Sequence, residues 1–272
     1  MKTFFKRTFS TVILLSAFLT AIFGPDNIRQ YVFGVLVILL SYFSVKEFTT
    51  ILKSSGNPAN TIVTPVFTAL TAILALLNKQ DFCLGIAAVF IIHQWAMFLT
   101  SKNEEKAMRS ILNSTAGYFL FAIPIVFMIG IYNRDPLIFL YFVLVTKVSD
   151  IGAYVVGTIT NALSKGGNHK MIPSISPGKS YEGAVGGILS AIGLSYLLCH
   201  LCKFDMPVWF PPVSGFVLFF GSMAGDLAES AFKRTCQVKD SGHVIPGIGG
   251  VFDLVDSLLI NALLFSLFLY FA

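Results

Sequence analysis

Between Gly225 and Asp256 the chain sets carboxylates, bases and glycines at spacings that suit the handling of phosphates and a metal ion. Residues 225–234 read Gly225, Asp226, Leu227, Ala228, Glu229, Ser230, Ala231, Phe232, Lys233 and Arg234. Because a helix advances about 100° per residue, Asp226, Glu229 and Lys233 share one stripe, with Ser230 on its flank. A charge turned toward lipid costs a few kcal/mol or more, so this stripe must face a polar cavity. A purely structural alternative pairs Glu229 with Lys233 at i, i+4 to hold two helices together, which leaves Asp226 without a partner.

Asp253 and Asp256 repeat the pattern one turn apart at the start of the last apolar stretch. Acidic oxygen pairs are what a hard cation such as magnesium takes, completed by waters and substrate phosphates. The glycine-rich turn 246–250, with Gly249 and Gly250 just before that stretch, can turn backbone N–H groups toward an anion. Lys147 and Asp150 stand at i, i+3 inside another apolar segment, where a mutual ion pair and direct ligand contact are both open. The stretch Ser176, Pro177, Gly178, Lys179, Ser180, Tyr181, Glu182, Gly183 offers a lysine and hydroxyls. It lacks the spacing of a P-loop, and no strand is expected before it.

Such residues need elements to hold them, and composition says what these are. Of 272 residues, 55% are hydrophobic and only 12% charged, with a mean hydropathy of +0.77, far too apolar for a soluble domain. The expected fold is all-α, a polytopic membrane protein of about nine transmembrane helices. These run near 8–23, 31–45, 61–77, 82–100, 115–132, 136–158, 183–202, 212–232 and 251–271. Polarity divides this single membrane domain into N-terminal scaffold helices, 1–110, and a catalytic region, 111–272. The basic N-terminus followed by an apolar run is read as a retained first span rather than a cleaved signal.

With the N-terminus inside, fourteen Lys and Arg, Lys165 among them, fall on the cytoplasmic side, four fall outside, and Lys147 lies in a span. This bias sets orientation and places the loops 161–182 and 233–250 in the cytoplasm. The net charge of +5 then reflects topology and phosphate handling, not nucleic-acid binding. Cys199 and Cys202 flank His200 without a second ligand pair, so they read as packing residues. His93 reads as a packed histidine.

The run from Ser230 to Asp256 closely resembles the signature of the phosphatidate cytidylyltransferases, or CDP-diacylglycerol synthases. It carries Ser230, Lys233, Arg234, Lys239, Asp240, Gly242, Pro246, Gly247, Gly249, Gly250, Asp253 and Asp256. Gly225, Asp226, Glu229, the 176–183 stretch and Asp150 are also similar to that family. Two positions depart from it: Ile248 stands where His is usual, and Leu254 where Arg is usual. Each removes a phosphate or nucleotide contact, while the carboxylates remain.

The resemblance implies that CTP and phosphatidate give CDP-diacylglycerol and diphosphate, with Mg2+ and a companion K+. Its metal-binding aspartates match Asp226 and Asp253. Lys233, Arg234, Lys239 and Asp240 are the candidate catalytic residues. Ser176, Lys179, Ser180, Ser230, Gly249 and Gly250 are candidate substrate contacts, with Glu229, Asp256 and Asp150 in support. The family also implies a homodimer, in the inner membrane with its site facing the cytoplasm. Three rival readings are a CTP-dependent lipid-alcohol kinase, which would release CDP, a cation- or proton-coupled transporter, and a catalytically silent relative.

Overall fold

The structure is a computed structural model that describes residues 2–164 and 167–271; Lys165, one of the cytoplasmic bases, lies outside them. Nine α-helices are found among the described residues: α1 Lys2–Phe23, α2 Asp26–Ser54, α3 Val63–Leu76, α4 Gln80–Leu99, α5 Glu104–Arg134, α6 Pro136–Leu163, α7 Tyr181–Leu201, α8 Phe210–Thr235 and α9 Phe252–Phe271. Seven are long and apolar enough to cross a membrane, which makes this an integral membrane protein. The other two differ for separate reasons. Helix α3 has only 14 residues, and α8 carries Asp226, Glu229, Lys233 and Arg234 in its second half.

Helix ends follow local chemistry. The Asp135 side chain accepts the Leu137 N–H at 2.7 Å, with Pro136 in the first turn of α6, where a missing N–H costs nothing. Ser180 caps α7 by accepting the Gly183 N–H at 3.1 Å. Helix α2 extends nine residues beyond the expected end at Val45, as far as Ser54.

One element was not expected. Strands β1, Lys170–Ile172, and β2, Ser176–Ser180, pair antiparallel with Lys170 opposite Ser180. The segment expected to be a plain loop is therefore a strand running directly into α7. Its Ser-Pro-Gly composition reads as a turn, yet a two-stranded ribbon has only edges, where proline is tolerated.

The chain packs as two compact units, Met1–Ile129 with Thr235–Val255, and Gly130–Arg234 with Asp256–Ala272. In the first, Phe90 stacks on Tyr118 at 4.5 Å, and the Tyr118 hydroxyl meets Thr71 Oγ1 at 2.8 Å. Phe48, Phe121 and Phe252 form a second aromatic cluster there. The second unit buries Tyr141, Phe142, Phe210 and Phe265 completely. Its Tyr141 hydroxyl is held by Ser195 and Ser214, since a buried hydroxyl needs a partner.

Candidate active site

In the second unit Lys147 and Asp150 of α6, Lys179 of β2, Asp226 of α8 and Asp256 of α9 converge. Lys179 Nζ, at the end of β2, lies 3.4 Å from Asp226 Oδ2 and donates to the Met223 carbonyl at 3.2 Å. The hairpin that aims it is tied to α6 by Asn168, whose amide donates to Gly157 O at 2.7 Å. It is tied to α7 by Glu182, which accepts from the His169 backbone and ring. On α6, Asp150 accepts the Ser222 hydroxyl at 2.6 Å. Lys147 turns instead to α9, 2.8 Å from Ser257 Oγ and 3.9 Å from Asp256, so an i, i+3 pairing with Asp150 is not its main contact.

Asp226 lies close enough to Asp256 and Asp150 to act electrostatically on both. The approach depends on Gly225, where a Cβ would come 2.6 Å from the Asp256 carbonyl oxygen and 2.8 Å from Ser257 Cα. Three carboxylates thus face two ammonium groups. Asp150, Lys179 and Asp226, with Ser176, Gly178 and Ser180, line a cavity of about 220 Å³. Phe219, Met223 and Met171 add apolar lining.

Glu229 and Lys233, one turn further along α8, pair at 2.8 Å with both side chains largely buried. The i, i+4 ion pair of the structural alternative is therefore present, and the residue it left alone, Asp226, is matched by Lys179. Ser230 is half-buried and Arg234 exposed. Ser180 is buried, with its hydroxyl engaged by the helix cap and by Asn168.

The first unit holds a second polar cluster. Asp253 Oδ2 accepts the Ser241 N–H at 3.3 Å, and the Asp253 N–H returns to Ser241 Oγ at the same distance. A cavity of about 500 Å³ is lined by Asp253, Asp240, Lys6, His243, Ile248 and Gly249, among others. In the turn 246–250 the N–H groups of Ile248 and Gly249 both donate back to the Ile245 carbonyl, so neither is turned outward as the sequence suggested. Lys239 and Asp240 are exposed, and Gly250 is buried.

Sequence reasoning missed Glu47. It is 6% exposed on α2 and accepts the Phe252 N–H at 2.8 Å and the Ser241 hydroxyl at 3.3 Å. Its carboxylate sits at the N-terminus of α9, where the helix dipole favours negative charge. A Cβ at Gly242 would overlap it, so this glycine makes room for the acid. The signal was available, a lone carboxylate in an apolar run, but ending the second span at Val45 left Glu47 outside it.

Among the described residues no three His, Cys, Asp or Glu side chains form a complete metal shell. Magnesium does not require one, since it binds through one or two carboxylates plus waters and phosphates. Asp226 beside Asp256 supplies such a pair. The excess of carboxylate over ammonium in a low-dielectric setting is costly unless compensated, and a divalent cation compensates it, so the donor set fits.

Comparison with known proteins agrees with this chemistry. A phosphatidate cytidylyltransferase of Staphylococcus haemolyticus is 30% identical over 260 residues, covering 92% of this chain and 93% of that protein. One of Haemophilus influenzae is 36% identical over 169 residues, a segment that spans 56% of each chain. One of Staphylococcus saprophyticus is 37% identical over 118 residues, 43% of each. The profile of the cytidylyltransferase family matches residues 5–272, nearly the full sequence, and the chain belongs to that family.

Proposed function

We propose that the protein is a phosphatidate cytidylyltransferase that makes CDP-diacylglycerol for phospholipid synthesis. The observation that carries this reading is the convergence of Lys179, Asp226 and Asp150 on a partly apolar cavity, with Asp256 close to Asp226, in a chain of the cytidylyltransferase family. A phosphate oxygen of phosphatidate forms a new bond to the α-phosphorus of CTP, the bond to the β-phosphate breaks, and diphosphate leaves. The phosphatidate oxygen is already anionic near neutral pH, so no strong general base is needed. Transfer of this kind asks mainly for positioning and charge compensation.

Asp226 and Asp253 are the proposed metal ligands, each in its own unit, with Asp256 and Asp150 supporting Asp226. Magnesium held by the carboxylates within either unit would neutralise phosphate charge and polarise the reacting phosphorus, and K+ is proposed as its companion. Lys179, 3.4 Å from Asp226, is proposed to hold a phosphate beside it. Lys233, Arg234, Lys239 and Asp240 are proposed for the remaining phosphate charge and its orientation, with Ser176, Ser180, Ser230, Gly249 and Gly250 as substrate contacts. The apolar side of the cavity suits lipid substrate. The enzyme is further proposed to be a homodimer, as the family resemblance implies, and to lie in the inner membrane with its site toward the cytoplasm, a side that the bias of Lys and Arg supports.

The test is a product assay with purified protein, Mg2+, phosphatidate and CTP labelled at either the α- or the γ-phosphate. The α-label must appear in lipid and the γ-label in diphosphate. Release of CDP with a γ-labelled lipid would make the protein a kinase instead. Asp226→Asn and Asp253→Asn should each abolish turnover while eluting as folded protein, and near-normal rates in either would remove its metal role.

A further inference from the structure

A second cavity, in the first unit, holds a set of groups that the cytidylyltransferase reading does not use. Its volume is about 540 Å³, and it lies among the end of α2, the loop before α3, the end of α4 and the start of α5. Lys53 and Lys106 line it, with Ser101 and Ser110, and among the described residues no carboxylate does. Gln94 also lines it, is 3% exposed, and its Nε2 has no hydrogen-bond partner. A buried amide N–H left unmatched costs about 1–3 kcal/mol, and a side-chain rotation that turns this shielded Nε2 into the cavity would let an acceptor there relieve it.

The surrounding loop is firmly built. The Pro58 carbonyl accepts from the Asn113 side chain at 2.8 Å, and the Asn60 N–H donates to Ser114 Oγ at 2.9 Å. The remaining wall is apolar, with Met97, Phe98 and Ile111. Met97 and Phe98 belong to α4, whose most apolar window is only 11% buried. A cavity that joins two ammonium groups and an amide donor to the exposed apolar side of a candidate span matches the polar–apolar boundary of an amphiphile.

We propose that this cavity binds the phosphate group of an anionic lipid, with Lys53, Lys106 and the Gln94 amide as its donors. The occupant is defined by its phosphate, carried by a lipid headgroup or by free inorganic phosphate. The proposal stands on these residues and not on the catalytic reading.

The test is native mass spectrometry of the full-length protein in detergent with dioleoyl phosphatidylglycerol, which is not a substrate of the proposed reaction. The half-saturating lipid concentration should rise about tenfold or more in Lys53→Gln/Lys106→Gln, as expected when two charge-assisted hydrogen bonds are removed. It should rise about threefold or more in Gln94→Leu, and stay unchanged in Lys102→Gln, an exposed lysine that does not line the cavity. Turnover of CTP should persist in all three, which certifies folding. Displacement of the lipid by millimolar inorganic phosphate would make the phosphate alone sufficient, and persistence would make the acyl chains part of recognition; either result supports the site. Wild-type lipid retention in the double variant overturns it, as does an equal loss in Lys102→Gln, which would mean unspecific charge attraction.

Discussion

Replacing Gly225 with alanine tests whether the meeting of α8 and α9 sets the geometry of the carboxylate cluster. The added methyl carbon would stand 2.6 Å from the Asp256 carbonyl oxygen, 2.8 Å from Ser257 Cα and 3.0 Å from the Asp256 carbonyl carbon. All three are backbone atoms, so no rotamer change relieves the clash. Ordinary contact begins near 3.4 Å, hence the helices must separate by about 0.8 Å, and the Asp256 carboxylate moves with its backbone. A displacement of that order at reacting groups costs about a hundredfold in rate. Overpacking costs about 1–3 kcal/mol of stability, partly offset by about 1 kcal/mol of helix propensity gained over glycine. Gly193→Ala is the control, because nothing lies within 4 Å of its Cβ position. Turnover of CTP and phosphatidate, measured with thermal unfolding of both variants, should fall about a hundredfold for Gly225→Ala with a small change in melting temperature. If the two alanine variants turn over alike, the close approach does not control the site.

Lys179→Gln removes the ammonium that faces Asp226 across 3.4 Å, and kcat/KM for CTP should fall tenfold or more, read from initial rates; an unchanged value would confine Lys179 to a structural role. Glu47→Gln replaces the charged acceptor of the Phe252 N–H and the Ser241 hydroxyl, and should cost about 1–2 kcal/mol in thermal unfolding. His93→Gln should leave turnover near wild type, because His93 packs against the Phe67 ring at 6.2 Å and does not line either candidate cavity; a loss of more than about threefold would contradict that reading.

How much was legible beforehand varied with the physical origin of each feature. The membrane helices were readable because apolar length is a one-dimensional property, and all nine segments appear as helices. Their ends were less so: α2 runs on to Ser54 because its last turns, polar by composition, are packed by neighbours, with Thr49 and Ile51 buried. The stripe of Asp226, Glu229 and Lys233 was legible from helical spacing, and its Glu229–Lys233 pair is a contact within one turn. The β1–β2 hairpin escaped notice because its pairing joins residues whose composition, read singly, signals turns. Lys179 was visible as a base but not as the partner of Asp226, which is remote from it in the chain.

Taken alone, the order of residues determined a helical membrane chain and the presence of acids, bases and glycines suited to phosphate chemistry, since hydropathy and helical periodicity are local. Which charges meet was decided only on folding. Lys147 turned from Asp150 toward Ser257, Asp150 took the Ser222 hydroxyl, and Glu47 came to rest at the first N–H groups of α9. Each of these contacts joins segments 72 or more positions apart, and in a low-dielectric interior a charge settles where a partner offsets its lost hydration, which no local pattern specifies.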